Sequence, residues 1–177
     1  MFNDASQFIQ GSSATVLSLG ATDEIDLTAT AMDFNGTVTI SGDTTLEDGA
    51  DLITASAGTS NVRIGVNAGN SIQSGGNFNV AVGDEAGTAL TTADKSTAVG
   101  YGALAAATTA GNNTAVGANA LGATTGQANT GVGEGALESN VAGTFNVAIG
   151  ANSLDADTTG SKSVAVGYAS LSTQNFT

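Results

Sequence analysis

The spacing of apolar and polar positions changes near residue 61. Before it, short alternating pairs stand out: Leu17 and Leu19, Ile25 and Leu27, Met32 and Phe34, Val38 and Ile40, at short and nearly even intervals. Gly20, Asn35-Gly36 and Gly42 separate these pairs, a pattern that predicts brief strands joined by tight turns. A heptad would also bring an apolar pair back once per repeat, but the interruptions and the β-branched content argue against a coiled coil. From residue 61 onward one phrase returns seven times: Asn61-Val-Arg-Ile-Gly65, Asn79-Val-Ala-Val-Gly83, Ser96-Thr-Ala-Val-Gly100, Asn113-Thr-Ala-Val-Gly117, Asn129-Thr-Gly-Val-Gly133, Asn146-Val-Ala-Ile-Gly150 and Ser163-Val-Ala-Val-Gly167. The interval between successive glycines of the phrase barely varies.

Within the phrase, β-branched residues alternate with small ones, as at Thr114 and Val116 around Ala115, which is strand spacing with one large and one small face. The glycines Gly65, Gly83, Gly100, Gly117, Gly133, Gly150 and Gly167 permit a bend or a close backbone approach after each strand. Three positions further on stands Ala or Ser, followed by Leu in the last five copies. Each unit therefore reads as strand, turn, a short second strand around the Ala-Leu pair, and a polar turn. A period of this length is the signature of a solenoid. The expected fold is all-β: a slender shaft over residues 16–60, then a parallel β-roll of about seven 17-residue coils over residues 61–177. Residues 1–15 are expected to form an attachment tip, on position alone.

Composition bears on how such a roll is held together. Residues 61–177 hold few Val, Ile, Leu, Phe and Tyr side chains, about four per coil. That is little apolar surface against the cost of ordering a whole coil. The small positions Ala81, Ala98, Ala115, Ala148 and Ala165 are read as a face suited to close approach of another chain, so an obligate homotrimer is expected. Tyr101 and Tyr168, each directly after a phrase glycine, are candidate exposed contacts, for a neighbouring chain or for a receptor. The column Asn61, Asn79, Asn113, Asn129 and Asn146, with Ser96 and Ser163 in its gaps, is expected to stack amides at one corner of the roll.

Charge and missing residue types exclude much chemistry. With 3 Lys plus Arg against 16 Asp plus Glu and a net charge of −13, neither nucleic acid nor an acidic membrane surface is an expected partner. More than half of the acids, and none of the bases, precede Asn61. The absence of His and Cys excludes the Ser-His-Asp and Cys-His arrangements. The carboxylate pairs Asp84/Glu85, Glu134/Glu138 and Asp155/Asp157 read as solvated turns rather than as a glycosidase pair, and no enzyme is expected. No cofactor is expected either. Calcium is the one ion for which the acid-rich turns at Asp155–Asp157 and Asp43–Asp51 offer oxygens, though their spacing matches no dedicated calcium loop.

The phrase Asn-Thr-Ala-Val-Gly, followed after two further residues by Ala-Leu, resembles the repeats of trimeric autotransporter adhesin heads, which form a parallel β-roll. The stretches Gln7–Thr15, Thr22–Thr30 and Phe34–Gly42, followed by those repeats, look more closely like shaft segments of bacteriophage tail fibres. That resemblance implies a homotrimeric virion fibre with an intertwined shaft. It would join other tail proteins through its N-terminal part and hold sites for an unidentified host-surface receptor. The alternative is an adhesin fragment on a bacterial cell surface. An adhesin passenger needs a secretion signal and a membrane anchor, which the chain does not display, and this favours the fibre. Because a solenoid needs an end cap and the chain stops after a repeat, a longer product is expected.

Overall fold

The structure, a computed structural model, describes residues 8–13, 16–20 and 57–174. Most of the expected tip and shaft, with the pairs Ile25/Leu27, Met32/Phe34 and Val38/Ile40, lies outside the described residues. Strands β1 (Phe8–Ser13) and β2 (Val16–Gly20) pair antiparallel, with Phe8 opposite Gly20 and an irregularity between Gly11 and Ser13.

The repeats form a parallel β-solenoid. The seven phrases supply β3 (Val62–Ile64), β4 (Val80–Val82), β5 (Thr97–Val99), β6 (Thr114–Val116), β7 (Thr130–Val132), β8 (Val147–Ile149) and β9 (Val164–Val166), paired in chain order in one sheet. Register is strict, with Thr97 opposite Thr114 and Thr114 opposite Thr130, so like residues stack at about 4.8 Å per rung. Seven strands bound six full turns between first and last, one fewer than the count of phrases implies.

Only one strand forms per turn, and this corrects the expected second strand around the Ala-Leu pair. Leu104, Leu121, Leu137, Leu154 and Leu171 lie in the left-handed region with φ between 50° and 56°. A strand cannot run through such a residue, and a branched aliphatic side chain rarely occupies that region. The conformation persists because stacked turns still pair: Leu104 N donates to Ala120 O at 3.1 Å and Leu121 N to Ala136 O at 2.9 Å.

The core reverses the expected faces. Ala81, Ala98, Ala115 and Ala148 are fully buried and Ala165 nearly so, inside the coil, so the small positions are not an outer surface for another chain. The reason is volume: the interior of so thin a coil also takes a Leu from the turn, leaving room for only a methyl from the strand. Leu104, Leu121, Leu137 and Leu154 fill that interior. In the first two turns the same position is Gly69 or Gly87, and Ile72 or Leu90, three positions later, fills the space instead. A β-carbon at Gly87 would lie 2.6 Å from Leu90 Cδ1, and one at Gly69 2.8 Å from Ile72 Cδ1. On the first rung Arg63 stands where other rungs carry Ala or Gly. Its stem runs within 3.4 Å of the space beside Gly69, and its Nε donates to Ala68 O at 2.7 Å.

Candidate functional site

The asparagines build a buried ladder. Asn79 N donates to Asn61 Oδ1 at 2.8 Å, Asn129 N to Asn113 Oδ1 at 2.9 Å and Asn146 N to Asn129 Oδ1 at 2.9 Å. Each amide then donates its own N–H onward to the next corner: Asn79 Nδ2 to Ala93 O at 2.7 Å, Asn129 Nδ2 to Gly143 O at 2.8 Å and Asn146 Nδ2 to Gly160 O at 2.7 Å. One side chain thus serves a backbone donor and a backbone carbonyl three residues apart at the next corner, as Asn129 does with Asn146 N and Gly143 O, a task that needs both an acceptor and a donor at one site. Ser96 interrupts the ladder, and Asn113 N reaches Ser96 Oγ only at 3.4 Å. The ladder faces inward, where it ties each turn to the next and offers nothing to a ligand.

The seven phrase glycines sit at φ between 122° and 136°, a region that excludes side chains. At Gly100 a β-carbon would lie 2.7 Å from the carbonyl of Gly117 one turn above. These glycines set how closely the turns stack.

The carboxylate pairs serve the turns. Asp84 Oδ1 accepts from Val66 N at 3.1 Å, and Glu85 Oε1 accepts from Asn67 Nδ2 at 2.8 Å, both one turn below. Asp157 is buried, and its Oδ1 accepts from Gly160 N at 2.8 Å, closing a local turn. Glu134 and Glu138 are exposed. Among the described residues no three acids gather as metal ligands, and the segment Asp43–Asp51 lies outside them.

What remains is the outward face of the sheet. Since Ala and Asn point in, the first and third residues of every strand in the solenoid point out, and every one is Val, Ile or Thr. Ile64, Val116, Ile149, Val164 and Val166 are exposed, and the others are half-buried. At the two ends of each rung stand the residue before the ladder position and the residue after the glycine. Phe78, Phe145, Tyr101 and Tyr168 occupy such ends and are all exposed, the two tyrosines at 61% and 80%. Among the described residues, the large apolar side chains left exposed lie on this one face or its edges, with Val141 and Leu171 the exceptions. A monomer seldom leaves so continuous an apolar patch in water.

The sequence alone points to Tyr101 and Tyr168 but not to the Val and Ile stripe or the two phenylalanines. The signal is present as parity: a buried amide at Asn79 places Ala81, two positions on, on the same inner side, and Val80 and Val82 on the other. No family model, no curated protein and no solved structure matches the chain.

Proposed function

We propose that the chain is a structural arm of a bacteriophage fibre, in which three parallel copies pack through the outward strand face and hold receptor-binding sites away from the particle for host attachment. The observation that carries this reading is the uncharged stripe of Val, Ile and Thr running over all seven rungs. On a chain of net charge −13, a stripe free of charge along its whole length is where identical copies can meet without bringing like charges together. The stripe is also regular, and a surface that repeats on every rung fits a partner that repeats with the same period, which a second copy does. Closed ring symmetry suits it, since the leading end of a strand in one copy then adjoins the trailing end in the next. An intertwined shaft before residue 61 and attachment to tail proteins through the N-terminal part complete the proposal.

The role is mechanical, and no catalytic step is assigned to it. Three chains in fixed array let weak distal contacts add through effective concentration. Native mass measurement of the full chain is expected to give three copies, and a Val116→Lys/Val132→Lys variant a predominantly single-chain species with the solenoid circular dichroism retained. A wild-type monomer at micromolar concentration overturns the assembly. Antibody against residues 61–177, imaged on whole phage particles, is expected to decorate the fibres, and decoration of bacterial cell surfaces alone overturns the virion assignment.

A further inference from the structure

The edges of the stripe repeat on a longer period than its centre. Phe78 and Phe145, Lys95 and Lys162, and Tyr101 and Tyr168 form three like pairs, and the members of each pair are separated by four rungs. Lys95 and Lys162 immediately precede the ladder position on the rungs of β5 and β9, and Tyr101 and Tyr168 immediately follow the glycine on those same rungs. Both lysines are exposed, with φ of 57° and 62°. The chain has only three basic residues, and two of them occupy this one column. Each stands on a rung whose other end carries a tyrosine, and no other rung ends in an aromatic residue on that side.

In a single copy the two ends of a rung are separated by a strand and do not meet. Around a ring of parallel copies they do, because the strands run across the solenoid axis and the lysine end of one copy faces the tyrosine end of the next at the same height. We propose that Lys95 and Lys162 of one copy pack on Tyr101 and Tyr168 of the next, and that these two rungs lock the axial register of the assembly. This rests on the assembly through the strand face proposed above and adds which rungs choose its alignment. The lock is needed because the stripe itself is nearly uniform: shifting one copy by a rung replaces Val by Val or Thr almost everywhere and loses only one rung of contact. The same shift moves both lysines off both tyrosines, putting Lys95 beside Asp84 or Ala118 and, in the first case, Lys162 beside Ala151. An ammonium over a phenol face is attractive, and the level register makes two such contacts, whereas the shift that offers Lys95 the exposed carboxylate of Asp84 leaves Lys162 beside Ala151. In register, the edge acids Asp84 and Glu134 meet the uncharged Phe78 and Ala128.

The chain contains no cysteine, so introduced thiols report one contact each. The full chain carrying Lys95→Cys/Tyr101→Cys, treated with a bismaleimide long enough for one rung and too short for two, is expected to give a covalent band at three times the 17.0 kDa chain mass. Lys95→Cys/Glu134→Cys, displaced by two rungs or about 10 Å, is expected to stay at single-chain mass. If native mass shows three chains and the displaced pair links as well as or better than the level pair, the register lock is wrong while the trimer stands. If native mass shows one chain, the trimer itself is wrong. Lys95→Cys already removes the lower lysine, so adding Tyr168→Leu, which keeps the edge apolar, leaves neither contact and is expected to retain the trimer while linking of Lys95→Cys to a cysteine at Tyr101 or at Ala118 becomes comparable. An unchanged preference for position 101 in a Tyr168→Leu background overturns the role of the upper rung.

Discussion

The first two turns and the later turns of the solenoid fill the same core by opposite means. In the first two, glycine stands at the turn position after the buried Ala68 or Ala86, and Ile72 or Leu90 reaches in from three positions further on. In the later turns, Leu104, Leu121, Leu137 and Leu154 take the turn position, and the third residue beyond is Ala107, Thr124, Asn140 or Asp157. What is held constant is the interior volume and not the residue at a given place in the repeat. The exchange also changes the chemistry of the second position. Once Leu occupies the space, a polar group can be buried there if it finds a partner, as Asn140 Nδ2 does on Asp157 O at 3.2 Å.

The sharpest way to break this comparison is Leu90→Ala. Because Gly87 brings no side chain, nothing nearby can collapse into the space, and the loss is expected in the upper part of the usual Leu→Ala range, about 4 kcal/mol by urea denaturation at fixed chain concentration. Next in size is Gly87→Leu alone, expected to cost about 2 kcal/mol through overpacking against Leu90. Combining the two imposes the arrangement of the later turns on the second. The double variant is expected within about 2 kcal/mol of the parent, where independent sites would lose about 6 kcal/mol, so the two positions are coupled by at least about 4 kcal/mol. Additive losses would mean that the two positions do not share a space. The smallest effect concerns the ladder that both sets of turns share. Ser96→Asn would place an amide where the hydroxyl reaches Asn113 N only at 3.4 Å, and it is expected to raise stability by about 1 kcal/mol. A loss would show that this corner is too tight for an amide.

Much of the solenoid is legible because its signal is repetition. The seven evenly spaced glycines specify the number of rungs and their parallel stacking, since only a coil of matching circumference returns like residues to like places. The asparagine column is legible for the same reason, as a stacked amide is one of few polar side chains that satisfies both a donor and an acceptor when buried. The turn at the Ala-Leu pair is not legible, because such pairs are as compatible with extended chain as with a turn. Nothing local in Leu104 or Leu121 announces a left-handed backbone.

The inner and outer faces escape the sequence for a more general reason. Apolar size is normally a guide to burial, and by that guide Val80 and Val82 belong inside and Ala81 outside. By itself the sequence determined the period, the strand direction and the alternation of two unlike faces, because these follow from backbone geometry and spacing. Which face closes on the core was decided only by the tertiary structure: the diameter of the coil, once a Leu or Ile enters from the turn, admits a methyl from each strand and turns the larger side chains outward.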